Sequence, residues 1–193
     1  MRHLRPIAIC VLLAGTALAQ AADKEAQDAA QFAARILHTQ CISKHADPGQ
    51  VGAHNEFGLT RLPVDKSLHY LQWKAGSAWA SKQPSGDFVL AISERRCSVM
   101  TRKVEMTAAK KHFLNVLHSV AGKAGSVTLL RHEQKRVKYG MVYRESYKVT
   151  TGLPDVIYGG ELTLSDSPTA PLQSTISIEE CDRELLLRAH CGQ

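Results

Sequence analysis

Apolar and polar residues follow two rhythms along this chain, a helical period in the first third and a strand period in the last. An apolar run over 7–18 comes first, and the sequence turns polar over 20–28. Behind it Ala26, Ala29, Ala30, Ala33, Ile36, Leu37 and Cys41 recur at helical spacing, which predicts a helix over 23–44 with one apolar face. Asp23, Glu25 and Asp28 stand near its start and Arg35, His38, Lys44 and His45 near its end, the order that complements a helix dipole. The stretch 47–61 has no period and is rich in Pro, Gly, Asn and His, which predicts a loop. Pro63 then opens a shorter helix with Val64, Leu68, Leu71 and Ala75 on one side, ending around Gly76. Trp73 and Trp79 flank that break, and core packing is the expected role of both.

After Pro84, Ser85 and Gly86 the period shortens to two. Strands are predicted over 87–93 and 96–104, joined at Glu94 and Arg95 as a hairpin. Thr107 is the expected cap of a third helix that carries Ala109, Phe113, Val116, Leu117 and Val120 on one face and ends at Gly122. Further strands follow over 127–133, 137–151, 156–165 and 172–179. In the second of these, Val137, Tyr139, Met141, Tyr143, Glu145, Tyr147 and Val149 share one face, expected to be core, while Lys138, Arg144, Ser146 and Lys148 share the wet one. The segment 181–191 fits a helix or an edge strand equally. The expected fold class is α+β, with the N-terminal helices and a central helix packed on one face of a mostly antiparallel sheet of about five to six strands. No internal repeat is visible.

The opening run changes the picture from fold to address. With Arg2 and Arg5 before it and the small-residue step Ala17, Leu18, Ala19 closing it, it reads as a secretory signal peptide over 1–21, leaving a single domain over 22–193. The run is too short for a permanent anchor, so the expectation is a soluble, exported monomer in the periplasm or outside the cell, and not an integral membrane protein. Cys10 falls within the leader, and Cys41, Cys97, Cys181 and Cys191 remain. An even number of cysteines in an oxidising compartment implies disulfides. Three pairings are possible; proximity favours Cys181 with Cys191, which leaves Cys41 for Cys97.

Charge sharpens the expectation of a partner. Taking Arg2 and Arg5 from the formal +6 leaves +4, yet 95–148 alone holds thirteen Lys and Arg against Glu105, Glu133 and Glu145. Arg102, Lys103, Lys110 and Lys111 flank the start of the third helix, and Arg131, Lys135, Arg136 and Lys138 surround a hairpin turn. If both groups lie on one side they form one basic patch, suited to an acidic protein of the same envelope or an anionic envelope surface. Export argues against nucleic acid, and the tyrosines alternate onto the other face from the cations.

Candidate chemistry adds little. His38, Cys41 and His45, with His54 as a fourth, have the spacing of a soft-metal site, but a disulfide explains Cys41 more simply, and no metal or cofactor is expected. Nucleophile elbows, His-Glu-x-x-His, penicillin-binding-enzyme pairs and phosphate loops are absent, so no catalytic residue is assigned and the balance leans away from an enzyme. The leading expectation is a disulfide-stapled interaction protein, such as an inhibitor, immunity-type or envelope accessory factor. A small secreted hydrolase acting on cell wall or peptide comes second, and a periplasmic metal- or ligand-binding protein third.

Overall fold

The computed structural model describes residues 10–51, 56–153 and 156–181, with the side chains of 10–20 and 22 left aside. Helix α1 spans Cys10–Ile36 and continues through a π-helical turn, Leu37–Ser43. It begins inside the apolar run rather than at Asp23, because the Leu and Ala that make the run apolar are also strong helix formers. No helix among the described residues is long and apolar enough to cross a membrane. Gln40 is fully buried in the π turn, with neither amide atom hydrogen-bonded.

Two strands that the periodicity does not predict come next, β1 (Thr60–Arg61) and β2 (Gly76–Gln83), on either side of α2 (Val64–Tyr70). The sheet therefore has eight strands, not five to six. Its other members are β3 (Gly86–Ser93), β4 (Arg96–Thr101), β5 (Ser126–Val137), β6 (Gly140–Thr150), β7 (Ile157–Ser165) and β8 (Ser174–Cys181). Helix α3 (Met106–Ala121) lies between β4 and β5. Its cap is Glu105, whose carboxylate accepts from the amides of Thr107 and Ala108; Thr107, the expected cap, is already inside the first turn. Those amides outweigh the cost of burial and hold the Glu105 carboxyl below its ordinary range.

All strand pairs are antiparallel, in the order β1-β2-β3-β4-β8-β7-β6-β5. Apart from α2 between β1 and β2, a helix followed by four strands thus occurs twice, and the two four-strand meanders join through β4 and β8. On one face α1 and α3 cover Phe88, Leu90, Ile92, Val99, Tyr147, Val149, Leu162, Ile176 and Ile178. Gly160 permits the close approach of α3, since a Cβ there would stand 2.9 Å from a Leu117 methyl.

Helix α2 does not join the other helices; it packs on the opposite face, where Leu71 meets Ala78, Val89, Ala91 and Met100. The cause lies in β3, whose unbroken run from Phe88 to Ile92 needs cover on both faces. The side predicted for α2 is its buried side only in part: Leu71 is buried and Leu68 half-buried, but Val64 and Ala75 are exposed, and Ser67 is buried instead, its hydroxyl donating to the Pro63 carbonyl. Trp79 is core, but Trp73 is 73% exposed, on a left-handed backbone that follows another at Gln72.

Cys41 is disulfide-bonded to Cys97, tying the end of α1 to β4 as expected. Cys181 is disulfide-bonded as well, while Cys191 and the segment after 181 lie outside the described residues. Disulfide bonding points to an oxidising location outside the cytoplasm.

Candidate functional site

Strand β5 ends the sheet, with β6 its one neighbour among the described strands. Its pairing slips between Leu129 and Arg131, so Leu130 forms a bulge. Before the bulge Val127 and Leu129 share the helix face with Val149 and Tyr147; after it Arg131, Glu133 and Lys135 share the other face with Ser146, Arg144 and Val142. Leu129 and Leu130 are 50% and 54% exposed, and Val137 and Tyr139 are exposed further along the same hairpin. The turn is Lys138-Tyr139, later than the expected site, so Val137 and Tyr139 do not belong to the β6 core face. The expected alternation of faces holds from Tyr143 to Val149, although Ser146, expected on the wet face, is buried.

The sheet divides the cations singled out by sequence, and the division runs through the hairpin group rather than between the two groups. Arg131 and Lys135 lie on the face away from α1 and α3; Arg136 pairs opposite Met141 on the helix face; Lys138 sits in the turn with its ammonium 5.5 Å from the Tyr139 ring centroid. Arg131 is held by Glu133 at 2.6 Å, whereas Lys135 and Arg136 have no ion pair among the described residues. Lys103 and Lys111 are exposed, in the loop after β4 and on α3. Arg102 Nε donates to the Pro171 carbonyl at 3.4 Å.

Lys110 is spent differently, on a carboxylate that spacing does not mark as a site. Glu145 is buried on the helix face of β6 and accepts from Lys110 Nζ at 2.7 Å and from the Tyr147 hydroxyl, with His132 Nδ1 at 3.0 Å. Burial alone would push this carboxyl up; the hydrogen bonds from Lys110, Tyr147 and His132 and the Lys110 charge together outweigh it and hold it below its ordinary range. Burial, then the hydrogen bond and charge of Glu145, push the Tyr147 phenol up. An ionised carboxylate with these three partners clamps α3, β5 and β6 together. One sequence signal pointed to it: an acid among tyrosines on a predicted core face.

On the other face a second network crosses four strands. Arg96 on β4 bonds Glu161 on β7 at 2.9 Å and Glu179 on β8 at 3.4 Å, and Arg144 on β6 reaches Glu161 at 3.4 Å. Ser98 and Ser177 share a hydrogen bond of 2.9 Å beside it. These pairs are set by register between distant segments, which spacing along the chain does not reveal. Of the soft-metal set, Cys41 is bonded to Cys97 and so offers no thiolate, while His54 lies outside the described residues.

No family model, no curated protein and no solved structure matches the chain.

Proposed function

We propose that this chain is an exported, disulfide-stapled interaction protein, carried out of the cytoplasm on a cleavable leader over 1–21 and acting as a single monomeric domain in the periplasm or outside the cell. Its partner is an acidic protein of the same envelope, or an anionic envelope surface, engaged by the β5–β6 hairpin. The observation that carries this reading is the edge strand itself. β5 is twelve residues long, has one neighbour among the described strands, and exposes Leu129, Leu130 and Val137 beside the uncommitted Lys135 and Arg136. Extended partner segments bind such edges by adding a strand, with backbone bonds giving affinity and side chains giving choice. The cations select acidic residues, and the bulge and charges discourage unselective pairing.

The test uses a synthetic extended peptide of alternating Glu and Val as probe, followed by fluorescence anisotropy on the full chain. Binding is expected to weaken steeply with added salt, and by roughly tenfold or more, ~1.4 kcal/mol, in Lys135→Glu/Arg136→Glu/Lys138→Glu. Binding that ignores both salt and the triple substitution overturns the reading.

A further inference from the structure

Between α2 and the sheet lies a groove of about 690 Å³, within the size range of small-molecule sites. Its floor is aliphatic: Val89 and Met100 face each other across the β3–β4 ladder, and Leu62 and Leu172 flank them. Three cations from three elements line it as well, Lys66 on α2, Lys82 on β2 and Arg102 after β4, with Asp87 the one carboxylate among its lining residues. The register places Lys82 opposite Asp87 and Phe88 opposite Thr101, so Lys82 and Arg102 stand at the same end, by the β2–β3 turn. Lys66 and Lys82 make no ion pair or hydrogen bond among the described residues, and Arg102 has only its contact to the Pro171 carbonyl.

An apolar floor with a cationic mouth fits an amphipathic anion, and the backbone decides which kind. The strands of the floor, β2, β3 and β4, each have a neighbour on both sides. Their amides and carbonyls are spent in ladders, so an extended peptide lying on this face would lose its own hydrogen bonds to water without replacement. An alkyl chain has no such bonds to lose. We propose that the groove binds a fatty acid, its tail along Val89, Met100 and Leu172 and its carboxylate at Lys82 and Arg102. The site is separate from the β5 edge and does not depend on it.

Calorimetric titration of the full chain with sodium dodecanoate below its micelle concentration tests this, with dodecyltrimethylammonium as a probe of equal tail and opposite charge. Saturable one-to-one dodecanoate binding is expected, weaker by roughly tenfold in Lys82→Glu/Arg102→Glu and unchanged in Lys135→Glu/Arg136→Glu/Lys138→Glu. Both substituted sites are exposed, and circular dichroism confirms that the variants fold. Equal binding of the two amphiphiles, or no saturable binding, overturns the proposal. So does binding of the Glu-Val peptide that Lys82→Glu/Arg102→Glu weakens, which assigns the groove to a polypeptide, or self-association abolished by that variant, which assigns it to a second copy of the chain.

Discussion

The two meanders share a topology and differ in cover. Strand β3 of the first is packed by α1 on one face and α2 on the other, so Phe88 to Ile92 is apolar without a break and buried throughout. Strand β6 of the second has α3 on one face and a polar surface on the other, and alternates accordingly between Tyr143, Glu145, Tyr147 and Val149 and Arg144, Ser146 and Lys148. Strand β5 has less cover than either. Hydrophobic periodicity in a strand therefore records how many of its faces are covered, not where it stands in the chain order. This also explains why a repeated order of elements leaves no visible repeat in the sequence.

The comparison breaks most severely at the staple between α1 and the first meander. Removing the Cys41–Cys97 bond by the Cys41→Ala/Cys97→Ala pair is expected to cost about 4 kcal/mol, the chain-entropy value for a closed loop of this length, since the two cysteines are 56 residues apart. Urea unfolding of the variant against the parent, both without reductant, measures it. A loss below about 1 kcal/mol would mean that packing of α1 alone holds the first half together.

What the sequence made legible follows the same division. The α3 stripe, the turn at Glu94 and Arg95, the Cys41–Cys97 pairing and the Tyr143–Val149 face were readable because each depends on local period or on elimination among few cysteines. Strand β2 was not: Ser77, Ala78, Ala80 and Ser81 have weak strand preference, and the strand exists through pairing with β3 along its whole length. The side taken by α2 was hidden for a related reason, because a seven-residue helix shows too few periods to reveal its buried face. Among the eight cations proposed from sequence, position along the chain did not reveal that Lys110 is committed to Glu145 or that the sheet separates Arg131 from Arg136.

The Glu145 clamp gives a smaller effect, confined to the second meander. Glu145→Gln keeps the shape but removes the charge that Lys110, Tyr147 and His132 meet, at an expected cost of about 2 kcal/mol; half-exposed Lys110 keeps this toward the lower end of charged hydrogen bonds. Acid has a related effect. The folded-state carboxyl titrates below its ordinary 4.5, so its stabilisation is fully present above that pH and is lost as pH falls through the lowered value. Glu105 contributes in the same direction. Stability should therefore be insensitive to this pair between pH 7 and 5 and decline below about 4.5, with a shallower decline in Glu145→Gln. An equal acid slope in parent and variant would show that Glu145 is no clamp.

The smallest expected change in stability lies at the β5 edge, where binding is proposed. Leu129 and Leu130 leave half their surface in water, and the bulge removes Leu130 from the ladder. Leu129→Thr/Leu130→Thr therefore loses little burial, and β-branched threonine suits a strand, so the unfolding free energy from urea titration is expected to fall by no more than about 0.5 kcal/mol. Affinity for the Glu-Val probe should fall, because an added strand would cover both leucines. A loss of about 2 kcal/mol or more in the isolated protein would mean that the leucines are already covered, leaving the edge no longer open to a partner. Together the two readouts separate an edge kept exposed for binding from one that merely ends the sheet.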